Sequence, residues 1–492
     1  MVAFKDGHAS SRKRKRKAAK RNARQQKARQ QIREQVKTTR DQVDEKKGLP
    51  FEDLLSMDRI VETIGKVGYE FRERIYPPWV TLWGFLSQVC SPDSSCNSVV
   101  TRINAYRTLN GIGQCSVHAS SYSEARQRLP EELYATLARD IGRGLAAQSR
   151  GNWLWKNRHV KIVDGTTVTM PDTEANQKAY PQSSNQKPGV GFPIMRITAL
   201  FSLSVGTVVD AEMSATKGKK TGELTAFREL WRSLDPGDIL LGDCLYDGYG
   251  DIAQLRGRGV DVVLGMKQSR ARDFRRGEQL GRGDHIVTWK KPQFDKSRMD
   301  RETWEALPDT MRMREVTETI KDANNTYRTI TVVTSLLDPK QYSKEDILHV
   351  FGERWHCEVD LRSVKTVMGM EHLSCKSPEM VRKEVWTYFL AYNLIRVHMA
   401  RAADEHDVQP RHLSFNHARQ AIGTFTLAVV GVAPEKADEL YRQTLTSIAA
   451  HRVGNRKGRA EPRKIKRRKG KYPYMTKPRS EAQNQAEQGS AS

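Results

Sequence analysis

The spacing of apolar residues changes character along this chain. Between Phe51 and Gln148 it is helical: Phe51–Ile64, Trp79–Val89 and Ser123–Leu145, where Leu129, Leu133, Leu137 and Ile141 stand four apart. Pro130 is expected to break or restart the last of these. Pro77-Pro78 and the polar stretch Cys90–Asn97 punctuate the region. From His159 the pattern becomes that of strands, at His159–Val163, Phe192–Ser204 and Thr207–Ser214, and the tight link Ser204-Val205-Gly206 predicts a hairpin. A helix over Thr221–Ser233 follows, with Leu224, Phe227, Leu230 and Trp231 on one side. Then come a strand at Asp238–Leu241, a helix at Tyr249–Arg256 and a strand at Val260–Gly265.

That order predicts an α/β protein: a three-stranded antiparallel meander followed by β-α-β units, giving a mixed sheet flanked by helices. The polar segment Ser269–Asp322, with alternation at His285–Trp289 and Met311–Thr319 and then Tyr327–Thr334, reads as an inserted β subdomain. A long helix, Ser343–Met368, and a more buried one, Pro378–Met399, close the pattern. The expected organisation is a basic arm (1–50), a helical N-terminal domain assigned to DNA binding (51–150), and a catalytic core in two parts (151–268 and 336–425). The insertion (269–335) separates those parts, and C-terminal helices with a basic tail follow (426–492).

Composition excludes several classes. The 492 residues carry a net charge of +25 and 29% charged residues, a soluble globular balance. The longest apolar runs, near Trp386–Ile395 and Thr424–Ala433, fall short of the ~18–20 residues of a membrane span. No apolar stretch follows the N-terminal Lys/Arg run, so no secretory signal is expected. Six cysteines form no CxxC pair, which argues against structural zinc and disulfides and for a reducing compartment. Cys244 and Cys357 read as small buried hydrophobes.

The charge is concentrated. Residues 1–40 hold 15 Lys/Arg against two acids, a net of +13, and residues 451–480 hold 13 against one, a net of +12. The rest of the chain is close to neutral. Two arms this dense repel themselves unless a polyanion neutralises them, and nucleic acid does so with release of counterions. Residues 10–47 lack an apolar stripe and are expected to become helical only on DNA.

Candidate chemistry lies between the arms. Asp164 and Asp243 each follow an apolar strand. The long helix carries Phe351, Arg354, Glu358 and Lys365, which at ~100° per residue fall within an arc of roughly 60°. Phosphodiester cleavage and transfer by two hard divalent ions uses carboxylate oxygens as ligands, while arginine and lysine pin phosphates. Asp247 is a rival to Asp243, although it sits in a Gly-containing turn rather than directly after the strand.

The helix reads Phe351-x2-Arg354-x3-Glu358-x6-Lys365, which resembles the Tyr-x2-Arg-x3-Glu-x6-Lys signature of the DDE transposases of insertion-sequence family four. Asp164-Gly165-Thr166, Gly242-Asp243, Tyr246-Asp247-Gly248 and Cys375-Lys376-Ser377-Pro378-Glu379-Met380 extend the resemblance over roughly residues 155–400. It implies a ribonuclease-H-like core with a β insertion, and Asp164, Asp243 and Glu358 as ligands of two Mg²⁺ or Mn²⁺ ions. Arg354 and Lys365 would contact phosphates. Phe351 departs from the family tyrosine and lacks its hydroxyl. The family stacks a flipped base on an aromatic of the insertion, for which Trp289 and Trp304 are candidates. The implied function is metal-dependent cut-and-paste transposition at terminal inverted repeats, by a homodimer on DNA, in a prokaryotic cytoplasm at the nucleoid. The alternatives are a metal-dependent nuclease or resolvase without strand transfer, and a noncatalytic nucleic-acid-binding protein.

Overall fold

The computed structural model describes residues 54–453, except positions 73, 110, 112, 219, 220, 297, 298, 322–326, 430 and 431, together with 477, 478 and 481. The N-terminal arm and nearly all of the C-terminal basic tail lie outside the described residues. The described residues fall into two compact units, one within 1–133 together with 424–441 and one within 134–423 together with those after 441.

In the first unit, α1 (Met57–Lys66) starts at Ser56, whose hydroxyl accepts from the Arg59 amide at 3.3 Å. Helix α2 (Pro78–Cys90) opens on a proline, where the missing N–H costs nothing. Then follow α3 (Cys96–Leu109) and α4 (Ser120–Arg128). Tyr76, Val99, Val100, Tyr122 and Ala125 form the buried centre of this unit. As Pro130 predicts, the helical segment stops at Arg128 and restarts as α5 (Glu131–Ala147), which from Tyr134 onward belongs to the second unit.

The second unit is built on one nine-stranded sheet of order β3-β2-β1-β4-β5-β9-β8-β7-β6. Strands β1 (Val160–Thr169), β2 (Ile194–Ser202) and β3 (Val208–Ala215) make the expected antiparallel meander. The short α6 (Glu174–Ala179) lies between β1 and β2, and α7 (Glu223–Glu229) follows β3. Strands β4 (Ile239–Gly242) and β5 (Asp261–Gly265), joined through α8 (Tyr249–Gly257), run parallel to β1. That half of the sheet has the ribonuclease-H-like order.

One expectation is corrected: strand β1 does not end at Asp164. It pairs with β2 as far as Thr169, and what stops after Ile162 is its ladder with β4. The insertion is β as expected, and its strands join the main sheet. Its strands β6 (Glu278–Gly281), β7 (Asp284–Lys290), β8 (Thr310–Lys321) and β9 (Tyr327–Thr334) extend the main one, because β9 pairs antiparallel with the edge that β5 would otherwise leave open. Trp289, Met311 and Met313 of the insertion share a core with Leu240, Leu255 and Leu264. The short α9 (Arg301–Glu305) sits between β7 and β8.

The long helix expected over Ser343–Met368 is broken. Helix α10 (Lys344–Gly352) opens on a reciprocal cap between Ser343 and Asp346 and ends at Gly352. Helix α11 (Trp355–Arg362) resumes after a tight turn in which the Arg354 amide donates to the Phe351 carbonyl at 3.2 Å. A π-helical turn, Ser363–Val367, completes it. Helix α12 (Pro378–Glu405) is buried along most of its length, and α13 (Phe415–Ala428) and α14 (Pro434–Ala450) follow. Among the described residues, no helix is long and apolar enough to cross a membrane.

Candidate active site

The register of the central strands brings the two aspartates together. Ile162 pairs with Leu241 in the parallel ladder of β1 and β4, so continuing two residues sets Asp164 beside Asp243. In parallel strands such neighbours project from the same face. Asp243 leaves β4 with an extended backbone, and its carboxylate accepts from the Leu245 amide at 2.8 Å, capping a one-turn 3₁₀ helix over Cys244–Tyr246. The Asp164 carboxylate accepts from the Gly165 amide at 2.8 Å.

Helix α11 adds its charges to this centre. Arg354 acts electrostatically on Asp164 and pairs with Glu358 on the next turn, Nη2 to Oε1 at 3.4 Å. The Phe351 ring reaches the bare face of Gly265, where an added Cβ would lie 3.4 Å from Cζ and 3.1 Å from the Cys244 amide nitrogen. The ring therefore packs by the backbone just after Asp243. Lys365 is half-buried in the π-helical turn. The wider turn and the break at Gly352 rotate Phe351 and Lys365 relative to a single ideal helix. These four positions therefore do not share one uninterrupted helical face.

Burial raises the proton affinity of Asp164 most, with the carboxylates of Asp243 and Glu223 adding to it, while the Gly165 N–H and Arg354 oppose; the net result lifts its pKa from 3.8 to about 6. In the unfolded chain Asp164 ionises near 3.8, so in the folded protein its charge is a growing penalty as pH rises towards about 6. Metal-free protein should therefore lose about 1–2 kcal/mol of stability across that window, after allowance for solvent screening. Asp164→Asn cannot ionise and should escape this loss. Thermal melts of both proteins in chelator at pH 4.5, 5.5 and 7 test it, and parallel pH dependences would contradict it.

Several candidate residues have other surroundings. Asp247 is fully buried and engaged by Lys267, whose amide lies 2.9 Å and whose ammonium lies 2.8 Å from its oxygens. Trp289 is buried, donates its indole N–H to Glu315 at 2.8 Å and carries Arg270 over its ring at 3.8 Å. Trp304 is half-buried and packs against the same core, with Lys291 at 5.5 Å. Cys357 is buried as expected, but Cys244 is exposed, a correction explained by its place on the turn that carries the chain away from β4.

Two further residues around the site escape sequence inspection. Glu223, the first residue of α7, accepts a hydrogen bond from the Tyr246 hydroxyl at 2.8 Å. Trp355, beside Arg354, is 55% exposed. The only advance signal for Glu223 is indirect, namely the glycines that adjoin both aspartates.

Carboxylate oxygens are hard donors suited to Mg²⁺ or Mn²⁺, and Asp164 and Asp243 present such oxygens near each other, the charge of Asp243 adding to the cost of ionising Asp164 without a bound cation. Among the described residues, no three His, Cys, Asp or Glu side chains are gathered closely enough to hold an ion. Glu358 is instead turned to Arg354.

The sheet order, with Asp164 on β1, Asp243 just after β4 and a helix bearing arginine and glutamate nearby, is that of the phosphoryl-transfer enzymes that act on nucleic acid strands. Residues 155–394 match the family described as "Transposase DDE domain", so this part of the chain is a DDE transposase domain. These enzymes catalyse DNA cleavage and strand transfer, and use divalent metal ions. The chain is 24% identical to transposase InsG for insertion sequence element IS4 of Escherichia coli (strain K12), over 82% of this chain and 89% of that relative. A more distant likeness joins it to the cryo-EM structure of a piggyBac transposase synaptic complex with hairpin DNA: TM-score 0.43 and 9% identity, over 81% of this chain and 84% of that one.

Proposed function

We propose that this transposase moves its element by a cut-and-paste route, with Asp164, Asp243 and Glu358 as the metal-binding carboxylates. The observation that carries the reading is the β1–β4 register, which sets Asp164 beside Asp243 below the helix of Arg354 and Glu358. Two divalent ions bound there would favour the attacking hydroxyl's ionised form and stabilise charge on the phosphate and leaving oxygen. Arg354 exchanges its partner Glu358 for a DNA phosphate as Glu358 turns to the aspartates, and Lys365 pins a neighbouring phosphate. Phe351 supplies packing against the Asp243 turn in place of a hydroxyl contact.

In the reading proposed here, the enzyme binds the terminal inverted repeats of its element as a homodimer, in a prokaryotic cytoplasm at the nucleoid. The two cationic arms contact phosphates, with affinity falling steeply as salt rises. Base stacking by Trp289 would require its contacts with Glu315 and Arg270 to open, and by Trp304 its packing against the core. Trp355 already offers exposed ring surface beside Arg354.

Strand transfer is the decisive test. Given precut ends with free 3′-OH groups, a target plasmid and Mg²⁺, the protein should yield covalently joined products. Hydrolysis of the DNA without joining would assign a nuclease instead.

A further inference from the structure

Both aspartates adjoin a glycine, and the two glycines face side chains that are hydrogen-bonded to each other, Gly165 facing Glu223 and Gly242 facing Tyr246. An added Cβ on Gly165, directly after Asp164, would lie 2.4 Å from Glu223 Oε1. One on Gly242, directly before Asp243, would lie 2.9 Å from the Tyr246 ring and 3.1 Å from Val163. Since side chains alternate along a strand, Glu223 and Tyr246 pack on the side of the sheet opposite the aspartates. The pair is well held. Tyr246 is 1% exposed, its ring meets Phe227 at 4.8 Å, and its hydroxyl donates to Glu223 at 2.8 Å. Arg196 of β2 approaches the other Glu223 oxygen at 3.9 Å and donates to the Thr221 carbonyl at 3.1 Å.

The geometry points to Glu223 as a positioning residue of the catalytic site: bonded to Tyr246, it fixes the Asp243 turn against the Asp164 strand. The ladder between β1 and β4 ends two residues short of these aspartates, so the register aligns them but, among the described residues, no ladder pairing between the two strands holds them at that level. The Glu223–Tyr246 hydrogen bond spans that gap from behind, joining the helix that leans on Gly165 to the turn that begins at Asp243. Its function is as an acceptor, which glutamine reproduces and alanine does not.

This inference rests on the assignment of Asp164 and Asp243 proposed above, and its test separates the two. Single-turnover end cleavage, affinity for a terminal-repeat duplex and Mn²⁺ binding to the DNA-free protein are measured for wild type, Glu223→Ala, Glu223→Gln, Tyr246→Phe and Asp243→Asn. Glu223→Ala should cleave about 100-fold more slowly at unchanged duplex affinity, the cost of misplacing reacting groups by about 1 Å. Its Mn²⁺ affinity should fall about tenfold. Glu223→Gln should restore cleavage to within about threefold of wild type, since an amide oxygen accepts the same hydrogen bond. Tyr246→Phe should slow cleavage about tenfold, with no further loss when combined with Glu223→Ala, and it preserves the test if Glu223→Ala does not fold. Wild-type cleavage by Glu223→Ala or Tyr246→Phe, or a Glu223→Gln as slow as Glu223→Ala, would overturn the positioning role. If Glu223→Ala is wild-type while Asp243→Asn is inactive, only this inference falls. If Asp243→Asn cleaves normally, the catalytic assignment falls with it.

Discussion

Replacing any one of Asp164, Asp243 or Glu358 by its amide should lower Mg²⁺-dependent cleavage of a transposon end by about 10³-fold or more. Stabilisation of developing charge by a bound divalent ion contributes several kcal/mol, and each 1.4 kcal/mol is tenfold in rate. DNA affinity should hold or rise slightly, because each change removes a negative charge that repels phosphate. The three losses should not add in pairs, since a site that has lost one ligand has lost the arrangement that the others serve. End-labelled duplex cleavage and gel-shift titration, run on the same preparations, measure both quantities. A variant that cleaves within tenfold of wild type would remove that residue from the set. If Asp247→Asn were inactive as well, its loss should come with a lowered melting temperature, because Asp247 is fully buried against Lys267 and Arg270.

Much of the site could be read before its fold was known, because its parts sit on elements with strong local patterns. The Val/Ile-rich strands around Asp164 and Asp243 announce themselves by alternation, and the Arg354–Glu358 pair by its four-residue step. Features that depend on distant contacts could not be read this way. Helix α3 has only Val99, Val100 and Arg107 buried among polar neighbours, too few to make a stripe. Strand β6, Glu278–Gly281, is an exposed edge whose pairing with β7 decides its conformation. The break at Gly352 and the π-helical turn leave residues that are all acceptable in a continuous helix, so periodicity passes over them. Glu223 lies 59 residues from Asp164 and 20 from Asp243, and only the crossing of α7 behind Gly165 brings it near either.

Asp360 shows the same principle with a larger stability effect. Two residues beyond Glu358 on α11, its carboxylate is fully buried and takes Arg411 Nη1 at 2.7 and 2.8 Å, the guanidinium of Arg396, and the Tyr392 hydroxyl at 3.0 Å. Those partners lie 32 to 51 residues away, on α12 and after it. Gly206 closes the cluster from the β2–β3 turn. Its φ is +76° and an added Cβ would lie 2.5 Å from Arg411 Nη1, so both conformation and space require glycine there. Removing the one anion strands two guanidinium groups away from water, which costs about 3–5 kcal/mol. For a unit of this size that lowers the melting temperature by roughly 10 °C. Asp360→Asn keeps the shape and loses the charge, so it should fall nearly as far as Asp360→Ala. Arg411→Met should cost less, because Arg396 still neutralises Asp360. Replacing Asp360, Arg396 and Arg411 together by apolar residues of similar volume should recover much of the loss, since no unpaired charge then remains buried. Differential scanning calorimetry of these four variants decides the point. An Asp360→Asn protein that melts with wild type would mean that the cluster does not anchor the helix bearing Glu358.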